Sequence, residues 1–263
     1  KHGDLEVGDE VLANNGHFVK VTHVHPKHEA NLRVEFTNGE TVDVHENHEW
    51  VVYDRHAKKT KTVETNYMIG KLEDGGTDRK RGHRYRFQLP KIEPLIGEEK
   101  ELPVQPYVFG AWLGDGSNTK PCICSAPSDD IVLRECGKHY EFLAMSVHKT
   151  TGVYTQTYDG LRSDLHKIGL CDWKQRREKY IPDEYLTSSI NQRLELLAGL
   201  LDTDGSLRKN EHRYIFTTAD EKLKDGFCEL VATFGWRTSV REVQPTTSAS
   251  GIVGKRVYWQ IGF

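Results

Sequence analysis

The sequence predicts an α+β chain, with a small all-β unit first and then a pseudo-two-fold pair of helix-and-strand repeats. Three observations carry this. Short Val-, Thr- and Phe-rich stretches separated by turn residues fill residues 4–54. Two apolar helices each stop at Asp-Gly, at Asp115-Gly116 and Asp204-Gly205. Each is followed downstream by the same Val-Tyr-x-Gln string. A length of 263 residues fits about two domains. With 29% charged residues and a mean hydropathy of -0.64, the composition excludes a membrane protein, and no apolar run approaches the ~18–20 residues of a spanning helix. No signal-peptide pattern is present. A net charge of -3 with 10% aromatics is not the profile of a disordered chain.

Taken in order, the strands expected are Glu10–Leu12, His17–His25, Asn31–Phe36, Thr41–Val44 and Trp50–Tyr53. Asn14-Asn15-Gly16, Pro26 and Asn38-Gly39 separate them. Asn-Gly between alternating strands is a hairpin signal, because both turn residues take positive φ. Residues 1–54 carry a net charge of -7 and residues 55–91 a net +7. The second stretch reads as a basic linker or DNA-recognition segment over 55–101. It interleaves charge with aromatics at Arg79-Lys80-Arg81-Gly82-His83-Arg84-Tyr85-Arg86-Phe87. Such runs contact phosphates and stack on bases, although a solvated linker has the same composition.

Pro106 opens a helix over Tyr107–Gly114, and Gln192–Leu201 forms a second. Laid over each other, Gly110 matches Gly199, Asp115 matches Asp204, Gly116 matches Gly205 and Ser117 matches Ser206. Val153-Tyr154-Thr155-Gln156 then matches Val257-Tyr258-Trp259-Gln260. Amphipathic helices are expected at Asp130–Leu143 and Asp220–Phe234, so each half reads helix–strand–helix–strand. The second half is longer, and the excess is placed in the loop Gln244–Gly254. Small residues on the first and second helices allow close approach. If the helices pair in parallel, Asp115 and Asp204 meet at their ends. Two carboxylates held together bind divalent ions through hard oxygens, and such a site activates water toward a phosphodiester. One Asp-Gly after a helix is ordinarily a cap and turn; the repeated spacing is what argues otherwise.

Other signals are weaker. Gly251–Lys255 lacks the spacing of a phosphate loop. His23, His25 and His28 lie close in sequence without an acidic or Cys partner at fixed spacing, so they read as ordinary strand and turn residues. Five cysteines with no Cys-x-x-Cys pair fit an intracellular, reducing compartment, cytoplasmic or phage-encoded in a bacterial host.

The stretch Leu197-Ala198-Gly199-Leu200-Leu201-Asp202-Thr203-Asp204-Gly205 resembles the signature of the LAGLIDADG homing endonucleases. Val108-Phe109-Gly110-Ala111-Trp112-Leu113-Gly114-Asp115-Gly116 resembles the first-copy variant found in endonucleases embedded in inteins. The resemblance implies αββαββ-type repeats, at about 102–160 and 190–263 within residues 102–263, with saddle-shaped antiparallel sheets laid on DNA. It implies that Asp115 and Asp204 hold Mg²⁺ (or Mn²⁺), with the Gly114 and Thr203 carbonyls beside them. It also implies a lysine near each carboxylate. Lys255 and Lys149 are the candidates, and Lys120 competes with Lys149. Base or phosphate contacts are expected from Lys120, Tyr154, Gln156, Arg208, Lys209, Arg213, Arg237, Arg241 and Gln260 on the strands, and from Arg79, Lys80, Arg81, Arg84 and Arg86 in the basic segment.

The N-terminal stretch Gly3–Val11 resembles the early segment of hedgehog/intein splicing domains, and Val44-His45-Glu46-Asn47-His48 resembles their second block. His45 stands where Thr is usual, and His48 matches the family histidine. Residues 1–54 are therefore expected to be a partial hedgehog/intein-like β domain. Because neither splice junction is in the sequence, splicing by this chain is not expected. The function implied is site-specific cleavage of double-stranded DNA at a long site by a monomer, with host-protein exteins as further partners if the chain is part of an intein. An inactive LAGLIDADG nucleic-acid-binding module and a mainly splicing element with a vestigial nuclease remain the alternatives.

Overall fold

A computed structural model describes residues 2–13, 15–37, 39–73, 84–172, 174, 178–208, 210, 212–245 and 256–263. It divides into two compact units, residues 1–93 and 94–263.

In the first unit, β1 (Glu10–Leu12) pairs antiparallel with β2 (Phe18–Lys20), and β3 (Leu32–Glu35) with β4 (Thr41–Val44). Gly39 takes φ of 87°, the left-handed turn that the hairpin requires. The strand expected at His17–His25 is shorter, ending at Lys20, well before Pro26. A three-stranded sheet follows, with β5 (Glu49–Asp54) between β6 (Lys59–Glu64) and β7 (Phe87–Gln88). One helical turn, α1 (Thr65–Met68), caps a small core of Val52, Val63 and Met68 against Trp50 and Phe87.

Part of the segment read as a basic linker or DNA-recognition segment is therefore sheet, at Lys59–Glu64 and Phe87–Gln88. The reason is Asp54. Its fully buried carboxylate accepts two hydrogen bonds from Arg86 (2.9 and 2.8 Å), an ion pair from Lys61 (2.7 Å) and the backbone N–H groups of His56 and Ala57. The Arg86 guanidinium, foremost, holds this acid well below the usual carboxylate range. Arg86, expected on DNA, is thus committed to the fold. Arg86→Gln is expected to lower the Tm of the first unit. An unaltered melting curve would remove Arg86 from the framework.

The second unit is built on α2 (Pro106–Asp115) and α6 (Ile190–Asp204). Gln105 caps α2 through its side chain, with Pro106 in the first turn; Ser189 and Gln192 form a capping box on α6. Between them lie β8 (Cys122–Ser125), α3 (Asp130–Cys136), β9 (Phe142–Val147), β10 (Tyr154–Tyr158), α4 (Leu161–Lys167) and α5 (Asp183–Leu186). After α6 come β11 (Gly205–Arg208), β12 (Arg213–Thr218), α7 (Glu221–Ala232), β13 (Ser239–Val243) and β14 (Tyr258–Gly262). The helix expected at Asp130–Leu143 stops at Cys136. Gly137 caps it, and the apolar run from Phe142 is an edge strand. Such a short run has no periodicity to separate strand from helix.

The halves are therefore richer in strands than the helix–strand–helix–strand reading, and the second follows the αββαββ order. The first sheet has the order β8-β10-β9 and the second β11-β12-β14-β13. The missing first strand survives as one bridge, Gly116 to Ile123, which matches the Gly205–Phe216 pair of the second half. Part of the second half's excess length thus lies in this first hairpin. The predicted loop Gln244–Gly254 falls mostly outside the described residues. One core runs through both halves, from Val104 and Trp112 to Phe227 and Ile261. Arg193 is fully buried within it and donates to the carbonyls of Ser188 (3.0 Å), Thr233 (3.0 Å) and Leu95.

Candidate metal and nucleic-acid site

Helices α2 and α6 touch backbone to backbone. A methyl group on Gly199 would fall on the Tyr107 carbonyl oxygen and 2.7 Å from the Ala111 nitrogen. One on Gly110 would fall on the Leu196 carbonyl and 2.9 Å from the Leu200 nitrogen. One turn on, the space a Gly114 side chain would need is filled by Thr203, whose hydroxyl turns back to the Gly199 and Leu200 carbonyls (both 3.0 Å). Contacts at Gly110–Gly199 and then Gly114–Thr203 make the pair parallel. Both helices end on an aspartate, Asp115 and Asp204, so the two carboxylates share one end of the pair. Asp204 Oδ2 would lie 3.4 Å from a Cβ on Gly114.

That end is electrostatically negative. Helix C-termini carry partial negative charge and orphan carbonyls, and two acids have been added to it. Burial first, then the Asp115 charge, raises the Asp204 pKa to about 6. Asp115 is more open to solvent yet is also raised, by loss of hydration first and by Asp129 to a lesser degree. Lys179 opposes both shifts. Its buried ammonium donates to the carbonyls of Trp112 (3.0 Å), Leu113 (2.9 Å), Gly114 (3.0 Å) and Gly116 (2.8 Å), and lies 5.2 Å from the centre of the Trp112 ring.

The donor set suits a hard divalent cation. Two carboxylates stand close enough for the charge on Asp115 to raise the cost of charging Asp204, while the Gly114 carbonyl already accepts from Lys179. Among the described residues no three His, Cys, Asp or Glu side chains gather at one point. A Mg²⁺-like ion bound through one or two carboxylates, with water and phosphate oxygens completing its shell, needs no third. Lys179 was invisible to sequence reasoning. It lies in a mixed, mostly basic stretch, Lys174-Gln175-Arg176-Arg177-Glu178-Lys179, and only the fold carries it to the end of α2. Lys179→Met is expected to lower the stability of the second unit by about 2 kcal/mol, since four carbonyls lose its ammonium, that of Trp112 keeping the Gly116 N–H as a donor, and to move metal binding to higher pH. Thermal melts and a metal titration across pH 5–8 would check it; an unshifted pH profile would limit Lys179 to a packing role.

The other site candidates disperse. Lys149 sits in the exposed β9–β10 turn, at the end of the first sheet away from Gly116. Lys120 is exposed in the loop after α2, closer to Asp115 in sequence. Lys255, Lys209, Arg79, Lys80 and Arg81 lie outside the described residues. Arg84 is exposed in the first unit. His45 packs its ring 5.0 Å from His28 and accepts from the Asn47 N–H, while His48 packs edge-on against Trp50.

Sheet register sorts the rest. Directly paired residues share a face, and successive residues alternate. In the second sheet the buried pair Phe216–Ile261 marks the core face. Arg208 opposite Arg213, and Thr217–Gln260–Arg241, therefore lie together on the outer face. Arg213 also donates to Ser239 Oγ beside Gly262. Arg237 is exposed in the loop before β13 rather than on a strand. In the first sheet Gln156 pairs with the buried Ile123. Gln156 thus lies on the core side, as does Tyr154, while Thr155 and Thr157 face outward. The matched Val-Tyr-x-Gln strings are one residue out of register between the halves, and such a slip exchanges faces.

Residues 191–260 match the family model described as LAGLIDADG-like domain. The chain is 29% identical over 275 residues to the replicative DNA helicase DnaB of Mycobacterium intracellulare, covering 95% of this chain and 43% of that protein. It is 29% identical over 217 residues to the ribonucleoside-diphosphate reductase large subunit of Invertebrate iridescent virus 6, covering 79% and 20%. The chain thus spans less than half the length of these relatives. Among solved structures, it is similar to the homing endonuclease I-DmoI in complex with DNA and Mn (TM-score 0.39, 11% identity, 61% of this chain and 89% of that one). It is also similar to the N-terminal LAGLIDADG domain of DUF199/WhiA (TM-score 0.37, 11% identity, 60% and 76%). No helix among the described residues is long and apolar enough to cross a membrane.

Proposed function

We propose that the chain is a divalent-metal-dependent endonuclease of the LAGLIDADG kind, cutting double-stranded DNA at a long specific site. The observation that carries this reading is the parallel α2–α6 pair, which sets Asp115 and Asp204 side by side at one end. Their carboxylates and the Thr203 carbonyl would hold the ion. A divalent cation there supplies Lewis-acid activation of the scissile phosphate and of the attacking water. The chain's own part is placement. Gly110 and Gly199 fix the spacing of the acids, and Lys179 keeps enough positive charge nearby for them to ionise near neutral pH. The outer faces of the sheets, with Arg208, Arg213, Arg241 and Gln260, would lie along the duplex.

We further infer that the chain is an intein-type insertion. A helicase and a reductase are unrelated in chemistry, and the chain matches a minor part of each. A segment carried between hosts has that distribution. On this reading the first unit belongs to the splicing part, and His45 and His48 are remnants of its second block.

The test is cleavage selection from a randomised duplex pool with Mg²⁺, with Mn²⁺ and with EDTA. One long cut site, lost in EDTA and in both Asp115→Asn and Asp204→Asn, is expected, with binding retained by both variants. Binding without cutting in either metal would replace the nuclease by a binding module. Undiminished cutting by both variants would refute the assigned site.

A further inference from the structure

The two sheets of the second unit differ in charge more than in shape. Strands β8, β9 and β10 contain no Lys, Arg, Asp or Glu. The strands of the second sheet carry Arg208, Arg213, Arg241 and Glu242. Register places all three arginines on the outer face, while Glu242, paired with Trp259, lies on the core side. The outer face of the first sheet offers hydroxyls and the half-buried Cys124 thiol instead, while Cys122 on the same face is buried. Thr155 stands between Cys124 and Ser146, with the Cys124 sulfur 3.5 Å from its Oγ1, and Thr157 stands between Cys122 and Ala144. These side chains are small and uncharged, and Ser146, Thr155 and Thr157 remain accessible to solvent. A pseudo-two-fold frame therefore presents two faces of unlike chemistry.

We propose that the two sheets hold DNA by different means: the second by charge, its arginines taking phosphates and guanine edges, and the first without charge, its hydroxyls and methyl groups reading base edges of the other half-site. The inference rests on the DNA-binding reading above and assigns its specificity. Arginine forks pair with guanine O6 and N7 and neutralise phosphates, which makes binding salt-dependent. Threonine offers a hydroxyl to either kind of base edge and a methyl group to the thymine methyl, with no counterion released. One half-site then carries the salt-dependent affinity. The other contributes discrimination that persists at high salt.

Three double variants test this, each folded as judged by an unchanged melting curve. The probe is the duplex that the unchanged protein enriches from a random pool. R208Q/R241Q is expected to reduce the slope of log affinity against log salt by about 2, close to one per phosphate contact. R208K/R241K keeps the charge and is expected to keep the slope while relaxing preference in one half of the site. T155V/T157V is expected to leave the slope unchanged and to alter base preference in the other half only. A slope indifferent to R208Q/R241Q, a slope that falls in T155V/T157V, or preference changes spread over both halves would each overturn the division. Failure of the unchanged protein to bind any duplex would overturn the DNA reading itself.

Discussion

Gly199→Val is expected to cost the second unit about 3 kcal/mol and to abolish cleavage even where the chain still folds. The added side chain has nowhere to go, because it would meet the backbone of Tyr107 and Ala111, which are both inside a helix. Flexible side chains yield to overpacking; helix backbones yield only by moving apart as units. The helices would then separate, and Asp204 would move away from Asp115 with them. Gly110→Ala should act alike, since its methyl group would meet Leu196 and Leu200 from the opposite side. Gly137→Ala is the control. There the methyl group meets only carbonyl oxygens at 3.4 Å, and stability should stay within about 0.5 kcal/mol. Thermal melts with and without Mg²⁺ check all three. Wild-type melting by Gly199→Val would mean that the helices are not in backbone contact.

Asp204→Asn is expected to make the metal-free protein more stable and to remove its response to metal. The sign follows from the direction of the shift. Asp204 titrates near 6 in the folded chain against 3.8 ordinarily. Between about pH 4 and 6 the folded state therefore binds the extra proton, and stability falls as pH rises through that window. Above it the ionised group is a standing cost of at most about 3 kcal/mol. In EDTA at pH 7.5 the Asn variant should melt above the parent, and at pH 4 the two should converge. With Mg²⁺ the order should reverse, because a bound cation stabilises only the parent. Metal affinity of the parent should weaken as pH drops through 6. Equal melting of parent and variant in EDTA at every pH would show that Asp204 carries no such strain.

The helices and their terminal acids were legible because local chemistry announces them: proline and caps at one end, Asp-Gly at the other, small residues between. The close pairing of Gly110 with Gly199 was foreshadowed by residue type alone. Sheet details were not. Phe142–Val147 is an apolar run that fits either structure, and only its pairing with β10 decides. The repeated Val-Tyr-x-Gln string suggested equivalent glutamines, yet pairing partners rather than identities set the face, and Gln156 turned inward. Arg86 looked like a phosphate ligand because sequence shows charge but not the buried Asp54, 32 positions away, that claims it. Lys179 had no local signal, since its four acceptors are brought to it by the fold from more than 60 residues upstream.

That last arrangement bears on how the protein can be divided. Lys179 stands in the passage between the two repeats and completes the end of a helix belonging to the first. The repeats are therefore not exchangeable modules joined by an inert tether. A fragment comprising only the first repeat would expose the end of its buried helix uncapped. A chimaera joining this first repeat to a foreign second one would have to bring residues up to at least Lys179 with it. A cut placed before this lysine severs the first half from its own cap, and α5 holds the first half too, since the Tyr185 hydroxyl bonds both the N–H and the carbonyl of Val104.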